Sequence, residues 1–118
     1  MRTLLLNAQD VGAARAEAAR VCIASGVTGS RTDSLSVVVS ELLGNALLHG
    51  VRPIHYDIRA DGTDLLVEVD DDSDTPPGRR TQAEQLAESG RGLLLVDKLA
   101  RRWGILATPT GKRVWARV

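Results

Sequence analysis

The stretch that decides the fold is Asp33-Ser-Leu-Ser-Val-Val-Val-Ser-Glu-Leu-Leu-Gly-Asn-Ala-Leu-Leu-His-Gly50. Its apolar residues recur with helical spacing and form a broad arc made of Leu35, Val38, Val39, Leu42, Leu43, Ala46 and Leu47. Glu41, Asn45 and His49 follow at intervals of four residues, so they share one narrow stripe of this helix. The stripe lies at the edge of the apolar arc instead of opposite it. Because burying such polar groups costs free energy unless they bind something, the helix is predicted to carry a site.

Composition limits the classes of protein to consider. The 118 residues suffice for one domain, which we expect to span residues 1–118. Fifteen Lys plus Arg balance fifteen Asp plus Glu, which argues against nucleic acid or an anionic membrane as the main partner. The single cysteine, Cys22, cannot form an intrachain disulfide, and no apolar run has the length of a signal peptide or a membrane span. We therefore expect a cytoplasmic protein that binds neither nucleic acid nor membrane.

The remaining elements follow from periodicity and turn signals. The predicted order is a strand at 3–6, a helix from about 10 to 25, the site helix from about 32 to 49 capped by Gly50, paired strands at 54–60 and 63–70, a polar loop with a short helix near 82–87, a helix from 93 to about 100, and strands at 102–107 and 112–117. This β-α-α-β-β-α-β-β order predicts an α+β two-layer sandwich with its helices on one face of the sheet.

A second motif lies where the 63–70 strand ends in a run of carboxylates. Side-chain alternation places Val67, Val69 and Asp71 on one face, so Asp71 points inward if the valines face the core. A buried carboxylate needs a donor, and the exocyclic amine of adenine is one, whereas guanine presents an acceptor there. A solvated acidic turn or a weak cation site would explain the same residues.

The third motif is Glu88-Ser-Gly-Arg-Gly-Leu-Leu-Leu-Val-Asp97, with Gly90 and Gly92 just before a predicted helix. Glycines let backbone N–H groups approach a phosphate closely, and a helix N-terminus adds partial positive charge. Arg91 would supply a further donor. A flexible turn into a packing helix is the alternative interpretation.

Taken together and in this order, the three motifs resemble those of the GHKL ATPase superfamily, which includes gyrase-type and histidine-kinase-type ATP-binding domains. Residues 39–50 are similar to its N box, residues 69–77 to its Asp-x-Gly-x-Gly-x-Pro box, and residues 90–93 to its second glycine box. The short chain points to one branch, the anti-sigma-factor serine/threonine kinases of bacterial partner-switching systems. The resemblance implies a sandwich with helices on one face of a mixed, largely antiparallel sheet.

The resemblance also implies ATP and Mg²⁺ as ligands and assigns roles to residues. Asn45 would bind Mg²⁺, Glu41 would be the catalytic base or orient the attacking hydroxyl, and Asp71 would accept the adenine amine. Residues 74–89, with Arg79 and Arg80, would form a lid over ATP. Further nucleotide contacts are implied at His49, Ser73, Thr75, Gly90, Arg91, Gly92 and Leu93. For His49 a second interpretation stays open, since an imidazole also suits a helix C-terminus.

Several positions depart from the family pattern. Ser73 and Thr75 replace its two usual glycines, and Gly44 replaces a larger residue in the middle of the site helix, where a neighbouring element would then be able to approach. Arg113 follows Gly111-Lys112 where a Thr is often found, which puts one adenine-side contact in question.

The implied function is a kinase that transfers the γ-phosphate of ATP to a Ser or Thr of an anti-sigma-factor antagonist. The same protein would hold a sigma factor when the antagonist is phosphorylated. The first alternative is a non-catalytic, nucleotide-gated regulator that binds the same partners. Others are the catalytic domain of a histidine kinase separated from its parent, and a plain α+β domain with accidental motifs. Family members often act as dimers, and a strand edge near residues 3–6 would allow a homodimer.

Overall fold

The elements follow one another in the predicted order. The computed structural model describes residues 2–73 and 91–118, with only the backbone for residues 91 and 92. Within these ranges the elements are β1 (Thr3–Leu5), α1 (Ala8–Ala24), α2 (Ser30–His49), β2 (Ile54–Asp61), β3 (Asp64–Asp71), α3 (Arg91–Leu99), β4 (Arg102–Ala107) and β5 (Lys112–Arg117). The short helix predicted near 82–87 lies outside the described residues.

The five strands form one sheet in the order β1-β2-β3-β5-β4, and each of these four pairings is antiparallel. Period-two alternation gives every strand an apolar side, and these sides meet the buried residues of the three helices in one core. The sheet contributes Leu5, Ile54, Tyr56, Ile58, Leu65, Val67, Val69, Trp103 and Ala116 to that core. The expected α+β sandwich with helices on one face is therefore confirmed.

Both long helices begin about two residues earlier than the sequence suggested. Asn7 caps α1, because its side chain accepts hydrogen bonds from the N–H groups of Gln9 and Asp10. Asp10 accepts in return from the Asn7 N–H, which completes a capping box. The carboxylate taken as the start of the helix is thus the third residue of its first turn. Helix α2 has no side-chain cap and begins after Gly29, whose φ is 70°.

The outward face of the sheet bears acids and arginines, and none of the helices in residues 2–73 and 91–118 covers it. Arg59 contacts both Asp57 and Glu68 at 2.5 Å. Arg113 donates to the two carboxylate oxygens of Asp70 at 2.7 and 2.9 Å and lies 3.3 Å from Glu68. Hydrogen bonding to Asp70 raises the pKa of Arg113 above its ordinary value. We call the five residues 57, 59, 68, 70 and 113 the outer charge layer.

Across residues 2–73 and 91–118, none of the helices combines the length and the apolar character needed to cross a bilayer.

Candidate functional site

The polar stripe of α2 lies where the periodicity placed it. Glu41 and Asn45 are half-buried one turn apart, while His49 is exposed in the last turn of the helix. The apolar arc beside them is in the core, with Leu42 and Leu43 almost fully buried. Two polar side chains are therefore held at the rim of the core by a rigid helix. At Gly44, between them, no described residue apart from its chain neighbours and the backbone of its own helix comes within 4 Å of where a Cβ would stand, so the expected close approach is not seen.

Asp71 ends β3 on the same side of the sheet as the helices. Its exposed fraction is 5%, and Val67 and Val69, which share its face, are buried beneath it. The carboxylate oxygen Oδ1 accepts a hydrogen bond from the Ser73 N–H at 2.7 Å and another from the Ser73 hydroxyl. Among the residues that the structure describes, none donates to Oδ2. The alternation argument for an inward carboxylate therefore agrees with the structure.

Gly50 brings the end of α2 against the Asp71 carboxylate. A Cβ on Gly50 would lie 2.8 Å from Oδ2 of Asp71 and 2.5 Å from the Ala46 carbonyl oxygen. Gly50 is the expected C-cap residue, and its N–H donates to that carbonyl at 2.8 Å. Its φ of −77° is ordinary for any residue, so glycine is needed here for space and not for a left-handed turn. A hydrogen bond of 2.9 Å from the Asp72 N–H to the Val51 carbonyl joins the same two segments.

Gly111 is a contributor that the sequence analysis did not assign to the site. It lies in the turn between β4 and β5, and a Cβ there would stand 2.0 Å from the carbonyl oxygen of Asp71 and 2.7 Å from the Cα of Asp72. The turn therefore packs directly on the backbone that carries the inward carboxylate. The only sequence signal was a turn glycine, because close approach between distant segments leaves no local pattern.

Arg113 does not face this site. It pairs with Asp70 across strands β3 and β5, and paired residues share a face, so its guanidinium lies in the outer charge layer. The cross-strand partner of Asp71 is Lys112, which is half-buried. The Arg113 guanidinium and the Asp71 carboxylate therefore lie on opposite faces of the sheet. That the missing Thr puts one adenine-side contact in question stays a prediction.

The third motif is described only in part. Arg91 and Gly92 open helix α3, whose first amides have no partner within the helix and are suited to an anion. Leu93 is 4% exposed and belongs to the core, so it can offer a phosphate only its backbone. The predictions at Thr75, Gly90 and the lid with Arg79 and Arg80 fall outside the described residues.

The donor set suits a metal held mainly by its substrate. Within the described residues, no group of three or more His, Cys, Asp or Glu is placed to hold an ion. The amide oxygen of Asn45 is a hard ligand, and Mg²⁺ typically keeps several waters and phosphate oxygens beside one or two protein oxygens. Asn45 therefore fits Mg²⁺ that enters together with a polyphosphate.

Comparison with known proteins agrees with this geometry. The family model described as histidine kinase-like ATPase domain matches residues 5–118, which include the α2 stripe, the inward carboxylate and the start of α3. The comparison with curated proteins found no match. The family implies ATP as the nucleotide. On the extent of the match and the order of its elements, the chain belongs to the histidine kinase-like ATPase domain family.

Proposed function

We propose that this protein is a serine/threonine protein kinase of the anti-sigma-factor type, which transfers the γ-phosphate of ATP to a Ser or Thr of an antagonist protein. One observation carries the proposal: Glu41 lies one turn before Asn45 on the half-buried stripe of α2, and that helix ends at Gly50 against Asp71. A potential base, a metal ligand and a purine acceptor thus follow one another along one edge of the sandwich.

The phosphate end would be served by α2. When bound, Mg²⁺ would supply positive charge that offsets the negative charge developing on the phosphates during transfer. Asn45 would hold that ion. Glu41 would accept the proton of the attacking Ser or Thr hydroxyl. The oxygen of that hydroxyl bonds to the γ-phosphorus while the bond from the γ-phosphorus to the β–γ bridging oxygen breaks. ADP and a phosphorylated Ser or Thr are the products.

The purine end would be served by Asp71. Its Oδ2 has no donor among the described residues, and an ionised carboxylate only accepts hydrogen bonds. The adenine amine supplies the missing donor, whereas the O6 atom of guanine would face an oxygen with like partial charge. The site is therefore expected to prefer ATP over GTP.

The partners are proposed from the same branch of the family. A sigma factor would be held while the antagonist is phosphorylated, and the protein would act as a homodimer. For the dimer the relevant feature is β1, an edge strand of the described sheet, in which Leu4 is 44% exposed and after which Leu6 is 54% exposed. Sedimentation equilibrium tests this, with a monomer mass at micromolar concentration contradicting the dimer.

Nucleotide binding is the first test. We would measure thermal unfolding with ATP, ADP and GTP, each with and without Mg²⁺. A ligand at one hundred times its Kd stabilises the folded state by about 2.7 kcal/mol, which shifts Tm measurably. Stabilisation by adenine nucleotides that Mg²⁺ enlarges, and that Asp71→Ala removes, supports the site. An unchanged Tm at millimolar ATP contradicts it.

Phosphoryl transfer is the second test, with γ-labelled ATP and each candidate antagonist. Glu41→Ala should abolish transfer and leave ATP binding intact. The matched control is Ser40→Ala on the same helix, because the Ser40 hydroxyl faces α1, where it accepts from Arg15 at 3.2 Å. Transfer by Glu41→Ala at the wild-type rate contradicts the role of Glu41. ATP binding without transfer to any antagonist would favour the non-catalytic, nucleotide-gated regulator.

A further inference from the structure

The two oxygens of the Asp71 carboxylate are in different surroundings. Oδ1 accepts from both the N–H and the hydroxyl of Ser73, so a single residue uses both of its lone-pair directions. Oδ2 receives no hydrogen bond from the described residues, and Gly50 lies beside it without a side chain. One oxygen is therefore saturated and the other is the acceptor that remains for a ligand.

We propose that Ser73 is a specificity-determining positioning residue, which fixes the plane of the Asp71 carboxylate so that Oδ2 alone meets position 6 of a purine. The inference rests on the proposed nucleotide site. It concerns the residue that stands where the family pattern has a glycine, and it gives this departure a function. The backbone N–H of residue 73 is present with any amino acid, but glycine cannot supply the second donor.

The two hydrogen bonds from Ser73 restrain the orientation of the Asp71 carboxylate more than a single hydrogen bond would. A backbone bond from the residue two positions later is the ordinary Asx arrangement, and it leaves the carboxylate plane free to rock about that contact. The Ser73 hydroxyl approaches Oδ1 from a second direction and opposes that rotation. It also occupies the lone pair that a water molecule or a misplaced ligand would otherwise use.

Gly50 defines the other side of the acceptor. A Cβ on this residue would stand 2.8 Å from Oδ2 and 3.2 Å from Cγ of Asp71, closer than atoms normally pack. Because Gly50 has no side chain, no atom of residue 50 occupies the space next to Oδ2 at the end of α2. Ser73 thus holds Oδ1 in place, and Gly50 leaves the space beside Oδ2 free.

This arrangement discriminates by the group at position 6 of the purine. An amine there donates to Oδ2, whereas an oxo group brings a second acceptor against it. ITP carries an oxo group at position 6 and a proton on N1, and its ribose and triphosphate are those of ATP. The ratio of the two Kd values therefore cancels the contribution of the phosphate end and reports on the purine edge that faces Asp71.

The experiment is titration calorimetry of the full chain with Mg·ATP and Mg·ITP, for the wild type and for Ser73→Ala, Ser73→Gly and Ser73→Thr. We expect the Kd ratio of ITP to ATP to fall by roughly five- to tenfold in the Ala and Gly variants, which corresponds to the loss of about one hydrogen bond. The Thr variant keeps a hydroxyl and should retain the wild-type ratio. Thr63→Ala, in the loop just before the opposite end of β3, is the matched control.

The outcomes separate this inference from the proposed function. If ATP does not bind the wild type, or Asp71→Ala binds it equally well, the nucleotide site itself is wrong. If Asp71 is required but Ser73→Ala keeps the wild-type ratio, only the role of Ser73 is overturned. Equal weakening of ATP and ITP would also overturn it, because that is the result of a merely structural role. Urea unfolding of each variant establishes that it is folded during the titrations.

Discussion

Replacing Arg113 by the residue that the family pattern often has should alter stability and spare nucleotide binding. Arg113→Thr removes two hydrogen bonds to Asp70, of 2.7 and 2.9 Å, and the 3.3 Å contact with Glu68. The side chain of Asp70 is only 14% exposed, so its charge is poorly solvated after the change. Arg2, at 3.2 Å, continues to offset part of that charge.

The loss in the free energy of unfolding caused by Arg113→Thr should lie between the contribution of an exposed ion pair and that of a buried hydrogen bond to a charged group. Exposed pairs contribute about 0–1 kcal/mol, and hydrogen bonds to charged groups about 1.5–3 kcal/mol. For a half-buried, bidentate pair we expect a loss of about 1–2 kcal/mol in the free energy of unfolding. At about 2.1 cal/mol/K of unfolding entropy per residue, this corresponds to a fall in Tm of about 4–8 °C.

The assay is urea unfolding together with ATP titration of the same preparations. Asp70→Asn and the double variant complete a cycle, which should show a coupling free energy of about 1 kcal/mol between the two positions. The Kd for ATP should stay within about twofold of the wild type, since the sheet separates residue 113 from Asp71. A tenfold weaker ATP affinity with unchanged stability would refute the assignment of Arg113 to the outer face.

Three further predictions concern other parts of the structure. Gly111→Ala should weaken ATP binding and lower Tm, because its Cβ would stand 2.0 Å from the Asp71 carbonyl oxygen; unchanged binding and Tm would show that the turn is not packed on Asp71. Asn7→Ala should cost about 0.5–2 kcal/mol in the free energy of unfolding through loss of the α1 cap, and a smaller urea-derived loss would contradict the capping box. Burial opposes ionisation of Asp57, yet hydrogen bonds from cationic groups, Arg59 among them, hold its pKa below the ordinary value. A lowered folded-state pKa stabilises the protein above the unfolded value of 3.8, and this contribution is lost as the pH falls through the folded value. The urea midpoint should therefore fall more steeply below about pH 4 in the wild type than in Asp57→Asn, and parallel curves would contradict this.

Much of the fold could be predicted because it depends on local periodicity. The alternation in β2 and β3 identified the hairpin, whose two loop residues are Gly62 and Thr63 because Asp61 pairs with Asp64. Gly62 has a positive φ of 61°, which a glycine at the first loop position adopts readily. The insertion of β5 between β3 and β4 could not be predicted, since it depends on pairing between segments distant in the chain. The start of α1 was misplaced because an asparagine cap and an acidic third residue carry similar signals.

In the candidate site too, features set by local periodicity could be predicted, whereas contacts between distant segments could not. The spacing of Glu41 and Asn45 and the alternation up to Asp71 follow from helix and strand geometry, so the sequence predicted which faces they occupy. The contacts of Gly50 and Gly111 with the Asp71 region are made across the fold and have no local pattern. The outward position of Arg113 likewise depends on the register between β3 and β5, which no local pattern gives.

The outer charge layer has a consequence for how relatives of this chain diverge. Asp57 and Glu68 share Arg59, and Glu68 and Asp70 share Arg113, so a single replacement leaves an unbalanced charge on a crowded face. Compensating replacements at positions 70 and 113 should therefore occur together along a lineage. A homologue with threonine at position 113 is expected to lack the aspartate at position 70. This covariation would reflect charge pairing on the outer face of the sheet and not nucleotide binding at Asp71 on the opposite face.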